Sequence, residues 1–153
     1  MKKILILLIF VFTSCSNNYT NDYQSCYIDF TYGFDFSNGI PDSIYPSNND
    51  IIVQNWYPYE PTDTTYPSHD GYLWFKKSDN TNLRIADLGI VESDTFNDFT
   101  NVSYDLPIPI IESEHMYFIE LKDGYVKLII NSISPSTWEI WGDYIFSESK
   151  IFQ

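Results

Sequence analysis

Three side chains in this sequence are suited to holding a transition metal or a haem iron: His69, His115 and Met116. Imidazole nitrogen and thioether sulfur both bring the lone pairs that haem iron accepts. The chain has two histidines and two methionines, and Met1 opens the sequence, so an axial pair would be drawn from this short set. His115 and Met116 are adjacent, and His69 stands in a loop bracketed by Pro58, Pro61 and Pro67. The commoner role of a single histidine is a polar side chain with no ligand, and that reading stands beside the haem reading.

Other chemistry is thinly represented. There is one arginine, Arg84, no glycine-rich phosphate loop, and no G-x-S-x-G, H-E-x-x-H or C-x-x-C motif. Ser68-His69-Asp70 has the residue types of a hydrolytic triad, but neighbours in a turn cannot stack nucleophile, base and orienting acid in space. Glu112 with Glu114, and Asp29 with Asp35, are carboxylate pairs of the type glycosidases use. With 21 acids in the chain, solvated strand faces account for such pairs more simply. Asp79-Asn80-Thr81-Asn82 offers oxygen ligands without the spaced loop that calcium requires. The expectation is a protein that is not an enzyme.

Aromatic residues are the unusual resource: four tryptophans, 13 tyrosines and 11 phenylalanines. Trp56 and Tyr59 fall at a strand-loop junction, Trp56-Tyr57-Pro58-Tyr59-Glu60-Pro61. Trp141 stands two residues from both Glu139 and Asp143, which puts it with them on a polar strand face. All three could stack flat on a sugar ring or a porphyrin, while the simpler role for most tyrosines here is strand packing.

The elements that must position these residues are strands. Period-two alternation dominates, and no helical periodicity persists over ten residues. Ile28, Phe30, Tyr32, Phe34 and Phe36 alternate with polar residues, predicting one long half-buried strand or two with a bend at Gly33. Residues 39–50 read as loop, 51–57 as a short strand, 72–75 as a central strand apolar on both faces, and 83–88 as another strand. A hairpin of residues 115–122 and 125–133 around Asp123-Gly124 predicts a two-residue type I′ turn. That register faces Glu120 with Lys127 and puts Tyr117, Ile119, Leu121, Val126, Leu128 and Ile130 on one side. A last strand over 137–146 carries Trp138, Ile140, Tyr144 and Phe146 on one face, and a terminal strand ends at Gln153. The fold class expected is all-β, an antiparallel two-sheet sandwich or barrel-like domain.

The amino-terminal end predicts where this domain works. Lys2 and Lys3 precede an apolar run at residues 4–12, which Thr13-Ser14-Cys15 closes. Nine apolar residues are too few to cross a bilayer, so the segment is a signal peptide, and a cysteine at its end is the pattern of lipid attachment. Residues 1–14 are then a lipoprotein signal peptide, 15–25 a polar tether from lipidated Cys15, and 26–153 a single all-β domain. Loss of Lys2 and Lys3 leaves six basic residues against 21 acids, a formal charge of −15, which argues against nucleic acid as a partner. With Cys15 acylated, Cys26 has no intrachain disulfide partner and is expected to be buried and inert.

The stretch Tyr117-Phe118-Ile119-Glu120-Leu121-Lys122-Asp123-Gly124-Tyr125-Val126-Lys127-Leu128, with the terminus Ile151-Phe152-Gln153, resembles the HmuY-like family of haem-binding outer-membrane lipoproteins. Gly33-Phe34-Asp35-Phe36-Ser37-Asn38-Gly39 is more loosely similar. The resemblance covers a quarter to a third of the mature chain. It implies an all-β lipoprotein of the outer membrane that takes up haem, here through His69 and His115, and passes it to an outer-membrane receptor. Two other expectations compete with haem: a glycan-binding accessory lipoprotein using Trp56, Tyr59 or Trp141, and an envelope lipoprotein without a small-molecule site.

Overall fold

The computed structural model describes residues 23–29, 31–43, 50–55, 73–77, 83–91, 96–106 and 108–152. Among them are nine strands and no helix: β1 (Gln24–Asp29), β2 (Tyr32–Asp35), β3 (Ile40–Ser43), β4 (Ile51–Asn55), β5 (Leu73–Lys77), β6 (Arg84–Ile90), β7 (His115–Glu120), β8 (Tyr125–Ser134) and β9 (Glu139–Ser147). They form two antiparallel sheets, β1-β9-β8-β7-β6 and β3-β2-β4-β5. The chain is an all-β two-sheet sandwich.

Alternation explains the core between the sheets. Phe34, Ile51, Val53 and Phe75 from one sheet, and Ile28, Ile85, Tyr117, Ile119, Val126, Leu128, Ile130, Ile140 and Tyr144 from the other, are all buried in one cluster. Edge-on aromatic contacts join the layers, with Tyr144 against Phe34 and Phe36 at 5.4 and 5.0 Å and Phe75 against Tyr117 at 5.6 Å. Each such side chain withdrawn from water contributes about 1.5–3 kcal/mol. Cys26 joins this core, and desolvation pushes its thiol up to about 12, so it stays protonated and unreactive, as a lone buried cysteine should.

Alternation misled in four places. The strand expected from residue 27 to 38 does break in two, but after Asp29 and not at Gly33, and its halves enter different sheets. The Asp29 carboxylate caps the corner by accepting the backbone N–H of Thr31 at 2.7 Å and that of Tyr32, which leaves Tyr32 about half exposed instead of inward. Ile40–Ser43, expected as loop, is an edge strand paired with β2, a position that tolerates Pro41 because an edge need not supply every donor. β5 is likewise an edge of its sheet, buried on both faces because Ile110 bridges to Trp74 and the Ile111 N–H donates to the Leu73 carbonyl at 2.8 Å. Glu112 lies outside any strand, and Glu114 adopts φ 67 just before β7, so the two do not share a strand face.

The β7–β8 hairpin forms two residues out of the expected register. Glu120 faces Tyr125, Ile119 faces Val126 and Phe118 faces Lys127. The Leu121 N–H donates to the Gly124 carbonyl at 2.8 Å, so Lys122 and Asp123 form the turn, and no positive φ occurs there. Gly124 serves a different need: a Cβ would lie 2.7 Å from the Ser147 carbonyl oxygen and 2.6 Å from the Phe146 ring. A shift of two preserves which side each residue faces, so the six apolar side chains expected on one side are all buried together. The Glu120–Lys127 pair does not form. Lys127 is fully buried, its Nζ donating to Asn97 Oδ1 at 2.9 Å, while Glu120 meets Arg84 at 2.7 Å and the Tyr104 hydroxyl.

Beyond β9 no further strand forms among the described residues. Ile151 makes one bridge to Asp98, and Phe152 is buried in a second apolar cluster with Ala86, Phe99, Met116 and Phe118 on the outer face of the larger sheet.

Candidate functional site

The outer face of the larger sheet is divided. Over β6, β7 and the adjoining part of β8 it is roofed by residues 96–106 and 150–152, with Phe99 stacked on Phe118 at 4.4 Å and 4° between planes. Lys127 belongs to this roofed half, its ammonium over the rings of Tyr23 and Phe152 at 5.2 and 5.8 Å. Over β1, β9 and the carboxyl-terminal part of β8 the face carries polar groups around aromatic rings, with Ser25 and Trp141 exposed.

Strand pairing builds this second half. Facing inward, Cys26 and Ile28 on β1 and Ile140, Gly142 and Tyr144 on β9 are buried. The intervening residues point outward, and register sets them in rows: Ser25 beside Asp143, Tyr27 beside Trp141, and Asp29 beside Glu139. On the other flank Ser132 lies beside Trp141 and Ser134 beside Glu139, with a register shift between Ile130 and Ser132 that leaves Asn131 outside the ladder. Trp141 therefore stands in the middle strand of three. Its ring lies 5.4 Å from that of Tyr27 at 44°, and 39% of the residue remains exposed.

Hydrogen bonds fix the polar groups around the two rings. Asp143 accepts from the Ser25 hydroxyl at 2.7 Å through one oxygen and from the Asn131 amide at 2.8 Å through the other. Glu139 accepts from the Tyr27 hydroxyl at 2.9 Å and from the Thr137 hydroxyl at 2.6 Å. The Tyr27 hydroxyl also approaches Asp29 at 3.3 Å. The bond to Glu139, with desolvation and the charges of Asp29 and Glu139, pushes the Tyr27 phenol up to about 12, so it remains a donor at neutral pH. Each carboxylate oxygen has a second lone pair, so these groups can still accept bonds from a ligand. The arrangement suits a ligand with an apolar ring face and hydroxyl or ammonium edges.

His115 is held elsewhere, at the start of β7. Its Nδ1 lies 2.9 and 3.0 Å from the two Asp87 oxygens, and its Nε2 lies 3.3 Å from Glu112 Oε2. A carboxylate orienting Nδ1 is the usual support of a metal-bound histidine, but here the opposite nitrogen also faces a carboxylate. Among the described residues no three of His, Cys, Asp and Glu are grouped so as to hold a metal ion. Met116 turns to the other side from His115, is 1% exposed, and packs with Phe118 and Phe99, so this pair does not share one ligand. Cys15, Trp56, Tyr59 and His69 lie outside the described residues, and so does any pairing of His69 with His115. β1 begins at Gln24, so Gln24 and Ser25, expected in a tether, are strand residues paired with β9.

Of the expected site residues that lie among the described ones, Trp141 is therefore the one found exposed among groups able to bind a ligand. Its flanking acids Glu139 and Asp143 were visible by their i±2 spacing. Tyr27, Ser25, Asn131 and Ser132 were not, because Tyr27 meets Glu139 across a separation of 112 residues. Searches against protein-family models, curated proteins and solved structures return no match to this chain.

Proposed function

We propose that this chain is a non-enzymatic lipoprotein, anchored to a membrane through Cys15, that binds glycans on the open face around Trp141. The observation that carries the reading is a 39% exposed tryptophan braced by Tyr27 and ringed by fixed carboxylates, an amide and hydroxyls, on the half of the sheet that residues 96–106 and 150–152 do not cover. A pyranose presents an apolar C–H face and a hydroxyl rim, so it would stack on Trp141 while its hydroxyls donate to Asp143 and Glu139. The outer membrane remains the proposed location, and an outer-membrane receptor that takes the ligand inward is the proposed partner.

Haem is the weaker reading. His115 would have to exchange Glu112 for iron, and Met116 would have to leave an apolar cluster. The test is a panel of immobilised neutral, acidic, sulfated and amino glycans, probed with the mature lipoprotein in detergent. Binding of at least one glycan that is lost in Trp141→Ala, with the fold retained by circular dichroism, supports the proposal. No binding across the panel, or binding unchanged in Trp141→Ala, overturns it.

A further inference from the structure

Every lysine and arginine among the described residues stands at one end of the sandwich. Pairing defines that end: Arg84 at the start of β6 faces Glu120 at the close of β7, Glu120 faces Tyr125 at the start of β8, and Tyr125 faces Ser147 at the close of β9. Lys122 is exposed in the turn after β7, Lys150 follows β9 with its Nζ 3.7 Å from Glu120, and the buried Lys127 lies just inside the row. β5 runs in the same sense as β7, with Leu73 bonded to Ile111 and Phe75 packed on Tyr117, so Lys76 and Lys77 close it at this end too. Of the acids here, Glu120 is engaged by Arg84 and Lys150, Asp35 by Ser37 and Asn38, and Asp50 by the Phe36 N–H, while Asp123 and Glu148 are exposed. At the other ends of these strands, among the described residues, stand Asp29, Glu112, Glu114 and Glu139 and no lysine or arginine. The basic end is thus near charge balance in a chain whose formal net charge is −13, and the opposite end is acidic.

The chain also enters the domain at this end. β1 begins at Gln24 opposite Tyr144, close to the end of β9 at Ser147, and the Tyr23 ring before it lies 5.2 Å from the Lys127 ammonium. Residues 16–23 alone separate Cys15 from β1, a reach of about 30 Å when fully extended. We infer that the basic end docks on the anionic headgroups of the membrane that holds Cys15, an inference that rests on the lipid anchor above and not on the glycan reading. Ammonium and guanidinium groups gain the attraction of lipid phosphates within a Debye length of the surface, whereas the acidic end is repelled. A tether alone would leave the domain free to roll; the charge asymmetry decides which end it stands on.

The test is the mature lipoprotein reconstituted on vesicles of phosphatidylcholine, and on vesicles with phosphatidylglycerol as about a third of the lipid. A water-soluble acetylating reagent should modify Lys76, Lys122 and Lys150 about fivefold more slowly on the anionic vesicles, and raised salt should restore the rates. Carbodiimide labelling of Glu112 and Glu114, at the opposite end, should be the same on both. Lys122→Glu, a change in an exposed turn, should weaken the protection of Lys76 and Lys150. Equal lysine rates on the two vesicles, or slowed labelling of Glu112 and Glu114, overturn the docking and leave the anchor standing. Failure to float with either vesicle removes the anchor at Cys15 and the docking with it.

Discussion

Gly142→Ala tests whether the spacing between β8 and β9 is what builds the open face. A Cβ on residue 142 would sit 2.5 Å from the Ile129 carbonyl oxygen and 3.1 Å from Leu128 Cδ1. Carbon–oxygen contacts across a sheet settle at about 3.3 Å or more, so the two strands would have to part by roughly 0.8 Å. In an unstrained position, replacing glycine by alanine stabilises by about 0.4–1 kcal/mol, because the unfolded chain loses freedom. Here overpacking costs about 1–3 kcal/mol, and one or two lengthened ladder bonds cost about 1 kcal/mol each. The balance is a loss of about 1–4 kcal/mol. For a domain of this size that lowers the melting temperature by roughly 3–15 °C. Urea unfolding of the variant, followed by tryptophan fluorescence, should show a lower midpoint with an unchanged slope. Because Gly142 adjoins Trp141 and faces the register shift near Asn131, glycan affinity should fall with stability. A variant as stable as the parent within about 0.5 kcal/mol would refute the claim that backbone contact forbids a side chain there.

Four further outcomes are expected. Burial alone would raise the Asp35 carboxyl, but hydrogen bonds from Asn38 and Ser37 outweigh it and hold the group below its ordinary value. A lowered folded pKa gives stability that is full above the unfolded value near 3.9 and lost as pH falls through the folded one; Asp35→Asn should cost about 1–2 kcal/mol at neutral pH and flatten that acid limb in urea titrations. Cys26 should resist thiol reagents in the native protein and react once urea unfolds it; labelling under native conditions would contradict its place in the core. Met116→Ala should lower stability by about 2–5 kcal/mol, as expected for a packed side chain and not for a ligand. Haemin titration should give no saturable Soret shift, and a shift abolished by His115→Ala would return weight to haem.

Much of this molecule could be read from alternation because a half-buried strand writes its burial pattern directly into residue type. The inward set of the β7–β8 hairpin follows from parity alone, which is why a register wrong by two still placed Tyr117, Ile119, Leu121, Val126, Leu128 and Ile130 correctly. Lys127 and Glu120 look like an exposed pair in sequence, and nothing local reveals that residues 96–106 and 150–152 roof the outer face and bury one of them. Tyr32 reads as inward because the pattern continues through it, whereas the corner capped by Asp29 rotates the chain into the other sheet. Trp141 was legible from its acidic neighbours. The rest of the face is assembled from strands far apart in the chain, and pairing over such separations leaves no trace in local spacing.

The pairing of β1 with β9 has a consequence for how the chain can be made. Gln24 faces Tyr144 and Asp29 faces Glu139, so the first strand finds its partner only when the last has been delivered. Until then β1 has no ladder of its own, and closing so long a loop must follow local formation of the β7–β8–β9 meander. A chain that leaves a narrow conduit amino end first would emerge with its opening strand unable to lock. The larger sheet would therefore close along β1 only as β9 arrives, whatever has formed before it.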